Sequence, residues 1–120
     1  MLTSYIDEKN HIIEMTIADK ISKDELLKVM EEIQGPLNEW DEFKVLKRID
    51  SFSGMEIGAV VEDFKFAFEN YSNLKKLKKA AVVTDKEWVE NVTEFFKPIY
   101  PAEVKIFESE DIEEARSWLG

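Results

Sequence analysis

Ser51 and Ser53 stand just ahead of a strongly periodic segment, where a hydroxyl meets the start of a helix. A phosphate added there would face free backbone N–H groups and the positive end of the helix dipole, which makes both serines candidate phosphorylation sites. Ser53 also precedes Glu56 by three residues, the spacing of a capping box, and Ser22–Glu25 and Thr84–Glu87 repeat that spacing elsewhere. A plain capping role therefore competes with a regulatory one. Lys75, Lys76, Lys78 and Lys79 form the one basic concentration, since residues 65–86 hold six lysines against two acids, a net +4. They suit an anion, or they complement the negative end of the helix before them. Adjacent carboxylates such as Glu31-Glu32, Asp41-Glu42 and Glu62-Asp63 diverge on a helix and make no acid/base dyad. Glu110 and Asp111 with Glu113 and Glu114 have the composition of a weak hard-cation site, and read more simply as a solvated acidic face.

What is missing bounds the chemistry further. The 120 residues include no cysteine and one histidine, His11, which excludes thiolate nucleophiles, Cys-ligated metal and any two-histidine metal site within one chain. No P-loop, Gly-rich dinucleotide fingerprint or nucleophile elbow is present. Acidic residues outnumber basic ones 26 to 16, and a net charge of −10 opposes nucleic acid and anionic membrane surfaces. No run approaches the ~20 apolar residues of a membrane span, and Met1 to Tyr5 do not begin a secretion signal. The expectations are a cytoplasmic location, no cofactor, no catalytic or metal-binding residue, no nucleic acid and no membrane span. The length suits one domain, 1–120, large enough to bury a core.

The elements that must position these residues follow from periodicity. Leu2–Asp7 and His11–Ala18 read as two strands of a hairpin, the second with Ile13, Met15 and Ile17 on one face. Ser22 opens a helix whose stripe is Leu26, Met30, Ile33 and Leu37, and Gly35-Pro36 should end or kink it. Phe43–Asp50 is the next strand. Behind Ser53, the residues Ile57, Val60, Val61, Phe64, Phe68 and Tyr71 recur at helical spacing and predict the buried stripe of a long helix, with Phe66 on its opposite, outward side. Ala80–Val83 has no alternation, as expected of a strand covered on both faces. Thr84 opens a helix with Trp88, Val92, Phe95 and Phe96 inward, closed by Pro98 and Pro101. Val104–Phe107 is the last strand, and Ser109 caps a final helix with Ile112, Ala115 and Leu119 inward. The order β-β-α-β-α-β-α-β-α predicts an α/β fold, a single mixed sheet of about five strands with about four helices.

Read together, Ile49-Asp50-Ser51-Phe52-Ser53-Gly54, Asp63-Phe64-Lys65-Phe66, Lys79 through Trp88, and Pro101–Phe107 running into Glu113–Leu119 resemble the SpoIIAA-like family of small STAS-related α/β domains. The resemblance covers nearly the whole length. It implies a helix-backed mixed sheet and a role in binding rather than catalysis. Anti-sigma-factor antagonists, which are STAS domains, carry a phosphorylatable serine after the third strand; here Phe52 separates Ser51 from Ser53, and the expected Asp-Ser-Ser-Gly run is absent.

The expected function is a non-enzymatic module that docks a protein partner or a second copy of itself, possessing a regulatory role if a serine is modified. Its expected surface is Asp50, Ser51, Ser53, Gly54 and Met55 with Phe66. The alternative is a carrier or sensor of a small apolar or amphipathic ligand, held in a cavity left by Phe64, Phe68, Phe95, Phe96 and Phe107.

Overall fold

A computed structural model describes residues 1–96 and 102–120, apart from the side chains of Phe64, Val92, Phe95 and Phe96. Strands β1 (Leu2–Asp7) and β2 (Ile12–Ile17) form the expected antiparallel hairpin. In its turn Asp7 accepts hydrogen bonds from the Asn10 backbone N–H and Nδ2, 3.1 and 3.0 Å, and these hold its carboxyl below the usual range. The two-residue strand β3 (Lys20–Ile21) leads into helix α1 (Lys23–Glu39), then come β4 (Phe43–Ile49), the short β5 (Gly54–Met55) and α2 (Ile57–Glu69). The turn of helix α3 (Tyr71–Leu74) precedes β6 (Leu77–Thr84), α4 (Glu87–Phe96) and β7 (Glu103–Phe107). A 3-10 turn, Ser109–Asp111, opens directly into α5 (Ile112–Leu119).

The main sheet runs β1-β2-β4-β6-β7, with every pair after the hairpin parallel, so it is the mixed five-stranded α/β sheet that the element order predicts. The parallel pair β3–β5 was not legible in the sequence. It requires Gly54, whose φ of +127° is closed to other L residues.

Alternation divides the core between the two faces of this sheet. Ile13 and Ile17 of β2 and Phe43 of β4 pack against Leu26, Val29, Ile33 and Leu37 of α1. On the opposite face Ile12, Leu46, Ala81, Val83 and Phe107 pack against Ala115 and Leu119 of α5. Val82, one residue out of phase with Ala81 and Val83, turns to the α1 side and meets Val89 of α4 and Val104.

Helix α1 begins as expected, with Ser22 Oγ accepting from the Glu25 N–H at 3.2 Å. Its end differs. The helix continues through Gly35 and Pro36 to Glu39, and the Trp40 N–H closes it on the Pro36 carbonyl, 2.9 Å. Burial of Leu37 and Trp40 offsets the hydrogen bond that proline forfeits. Trp40 also stacks on His11, with ring centres 4.4 Å apart, so the only histidine is an edge-of-core residue beside the hairpin turn.

Candidate interaction surface

The side of α2 that faces inward is the narrow one. Ala59 is fully buried, Phe66 packs partly buried against the α1 core, and Asn70 at the helix end is 3% exposed. Gly58 permits the approach: a Cβ there would lie 3.0 Å from Cδ of Lys23 on α1. Amides then lock the joint. Asn70 Nδ2 donates to Gln34 Oε1 and to the Phe66 carbonyl, both 3.1 Å, while its Oδ1 accepts from Gln34 at 2.7 Å and Asn73 at 3.0 Å. Asn38 of α1 accepts from both Gln34 and Asn73.

This anchoring reverses the expected orientation. Apart from Phe64, which lies outside the described side chains, the stripe read as buried points to solvent, with Ile57 85% exposed, Phe68 86% and Tyr71 64%, and Val60 and Val61 exposed between them. Phe66, the expected outward aromatic, is instead the inward one; what it shows of itself lines an open groove of about 350 Å³ between α1 and α2, with Leu27, Met30 and three glutamates. A second hollow of about 580 Å³ lies beside the same C-terminal half of α2, next to Ala67, Phe68 and Tyr71 and sharing Lys65 and Glu69 with the first.

The β4–β5 connection adjoins this face, and its serines are placed differently from the sequence expectation. Ser51 Oγ accepts from the Asp19 N–H at 2.9 Å and donates to Asp19 Oδ1 at 3.2 Å, clipping a residue whose φ is +59°. A phosphate on Ser51 would break that clip and oppose the Asp19 carboxylate. The Ser53–Glu56 capping box does not form. Glu56 turns away to accept the Lys23 N–H of α1 at 2.8 Å, and the start of α2 carries no side-chain cap. Ser53 is exposed, its backbone N–H donating to the Asp19 carbonyl. Asp50 is paired with Arg48 at 3.0 Å, and Met55 packs against the α1 core. Of the residues expected to form a surface, Asp50, Ser51, Ser53 and Gly54 do lie together, whereas Met55 and Phe66 lean inward.

Two further aromatics are exposed that the sequence reading did not place on the surface. Phe52 in the connection meets Trp88 at the start of α4, ring centres 5.9 Å apart, and both are partly open to solvent. Trp88 was expected in the buried stripe of α4, but Val89 takes that place. Thr84 does not cap α4 through Glu87 either; its buried hydroxyl donates to the Ile49 carbonyl and accepts the Lys86 N–H. Similarly, Ser109 does not cap α5; its N–H donates to Asp85 Oδ1 at 2.9 Å, and bonding to Ser109 holds the Asp85 carboxyl low. The remainder of the α4 stripe, and Pro98 and Pro101, lie outside the described residues.

The basic cluster is mostly occupied in closing helices. Lys76 Nζ donates to the Leu37 carbonyl near the end of α1, 2.8 Å, and Lys79 Nζ to the Trp118 carbonyl of α5, 3.0 Å, while lying over the Trp118 ring. Lys75 sits over Tyr71. Lys76 and Lys79 thus complement helix ends, but those of α1 and α5 rather than that of the helix before them. Glu113 pairs with Arg116 and so leaves the acidic group; Glu108, Glu110 and Asp111 can bring carboxylate oxygens within 4.8 Å of one another on the surface.

Lys47 is the one cation on the α1-side face of β4, between Met15 and Val82 on the neighbouring strands. Burial pushes its ammonium below the ordinary 10.5, and the Asp63 carboxylate on α2 offsets this only in part. The fold thus binds this proton less tightly than the unfolded chain does. Stability contributed through Lys47 must therefore rise with pH from the lowered value up to about 10.5. Lys47→Met, which keeps the length and removes the charge, is expected to raise stability by about 1 kcal/mol at neutral pH and to flatten that alkaline rise. Urea melts at pH 7 and 10 check both.

With this geometry established, the comparisons define the class. The SpoIIAA-like family model matches residues 12–120, and the chain belongs to that family. A crystal structure of an uncharacterized DUF3478-family protein from Shewanella loihica PV-4, with a SpoIIAA-like fold, superposes with a TM-score of 0.76. That similarity covers all of this chain and 93% of the other at 19% identity, a likeness of fold. A search of curated proteins finds no match. No helix among the described residues is long and apolar enough to cross a membrane.

Proposed function

We propose that this chain is a non-enzymatic protein-interaction module that docks through the outward face of α2, flanked by the Phe52–Trp88 pair. The carrying observation is that Ile57 and Phe68, on one face of one helix, are each more than four-fifths exposed. A folded chain gains nothing by presenting an ordered stripe of large apolar side chains to water, and such patches mark contact surfaces. The inward face of α2 is already satisfied by Ala59, Phe66 and the Asn70 amides, so the outward stripe is available to a partner.

A small-ligand carrier is less well supported. Phe107 packs in the α5-side core and Phe68 projects from the α2 side, so those two rings do not line one cavity.

Phe68→Asp tests the docking reading. Its stability is expected to stay within about 0.5 kcal/mol of the parent, as for an exposed position, while association with the docked polypeptide weakens at least tenfold. Sedimentation velocity beside a thermal melt reads both. A loss of several kcal/mol would mean that the stripe stabilises the chain's own fold, and the docking reading would fail.

A further inference from the structure

We propose that the polypeptide docked at α2 presents a basic amphipathic helix, seated in the groove between α1 and α2. This rests on the docking reading and names the chemistry of the partner. Shape calls for a helix. On the α1 side the groove is lined by Leu27, Met30, Glu31 and Gln34, at positions i, i+3, i+4 and i+7. Glu62, Lys65, Phe66 and Glu69 repeat that spacing on the α2 side. Each set is therefore one helix face, two turns and about 10 Å long. The two helices run side by side in the same direction, since Glu56 meets Lys23 at one end and Asn70 meets Gln34 at the other. Two such ridges with an open furrow between them are the seat that helix packing gives a third helix. The furrow also reaches the exposed stripe, because Lys65 and Glu69 line both it and the hollow beside Phe68.

Charge calls for a basic one. Leu27, Met30 and Phe66 supply an apolar floor, with methionine able to adapt to the side chains laid on it. Three carboxylates, Glu31, Glu62 and Glu69, surround that floor against the single ammonium of Lys65. Among the described residues none of these glutamates takes part in a hydrogen bond or ion pair. Lysine and arginine match both features, since their stems cover apolar surface while their heads reach the carboxylates. Rim carboxylates stay in contact with water, so pairing them sacrifices little hydration and steers the encounter. A second copy of the chain would bring another net charge of −10 to an already acidic furrow. A small molecule would lie in an open furrow without the enclosure that ligand sites provide.

The probe is a labelled helical peptide of about 18 residues, with leucines along one face and lysines on the other, beside an acidic twin carrying glutamates for lysines. Fluorescence anisotropy is expected to show the lysine peptide binding the full chain, less tightly as salt rises, and the acidic twin not binding. Glu31→Gln, Glu62→Gln and Glu69→Gln together should weaken the lysine peptide at least tenfold. Glu8→Gln, Glu103→Gln and Glu110→Gln remove as much charge from exposed positions away from α1 and α2, and should change binding less than about twofold. Equal weakening by the two sets would show that the peptide reads only the overall charge, and would overturn the proposal. So would failure of the lysine peptide to bind at low salt, equal binding of the acidic twin, or self-association of the chain that the groove glutamines strengthen. In each of those cases a complex weakened by Phe68→Asp leaves the docking reading standing, and without one both fall.

Discussion

Replacing Asn70 with leucine is expected to cost about 2–3 kcal/mol and to lower the melting temperature by roughly 10 °C. Asn70 is nearly fully buried and satisfies Gln34, Asn73 and the Phe66 carbonyl at once. Leucine matches its size, but leaves those amides and a carbonyl without their partner in a poorly solvated joint. Buried polar networks lose more than one bond when one member goes, because the remaining groups carry the desolvation penalty. The effect should concentrate in α2 and α3, which hang on this joint. Hydrogen exchange should therefore quicken in residues 57–74 before it quickens in β4 or β6. Uniform acceleration across the sheet would show that α2 is held by something other than the amides.

The second large effect is expected on the opposite face. Leu46→Ala should destabilise the chain by about 3 kcal/mol, measured by denaturant unfolding. Leu46 is 1% exposed at the centre of β4 and packs with Ile12, Ala81, Phe107, Ala115 and Leu119. The backbone around it is fixed by strands on both sides, so the cavity cannot collapse. Because this core lies across the sheet from α2, the variant should leave docking unaltered at temperatures where it is folded. A parallel loss of association would place the docking surface on the α5 side instead.

These two residues also show how legible the chain was. Leu46 was legible as part of a strand: Val45 and Ile49 fall on one face of β4 and Leu46 on the other, so both faces of the strand carry apolar residues. Helix α2 was legible as a helix but not in its orientation. Periodicity reports that apolar groups share a face, and is silent on whether that face meets its own sheet or another molecule. The signal lay on the other side, in Gly58, Ala59 and Asn70, whose small or amide side chains suit close helix approach better than Ile57 or Phe68 do. Two of the three capping boxes failed for a related reason. Glu56 is drawn into a tertiary bond with Lys23, and the Thr84 hydroxyl into one with the Ile49 carbonyl, which no local spacing reveals. Ser51 likewise became a clip on Asp19, thirty-two residues away in sequence.

The same comparison separates the site from the scaffold. Lysines of the basic cluster and the lone histidine, the residues with the most conspicuous chemistry, turn out to finish helices and pack an edge. Among the described residues, Ile57, Val60, Val61 and Phe68 collect exposed apolar side chains on α2, and the docking proposal rests on them.

Native mass spectrometry of the unmodified chain mixed with the leucine–lysine peptide tests this most directly. The account predicts 14.0 kDa units carrying the mass of one peptide. A chain that flies alone at every peptide concentration, or one that carries only an adduct of a few hundred daltons, would contradict it.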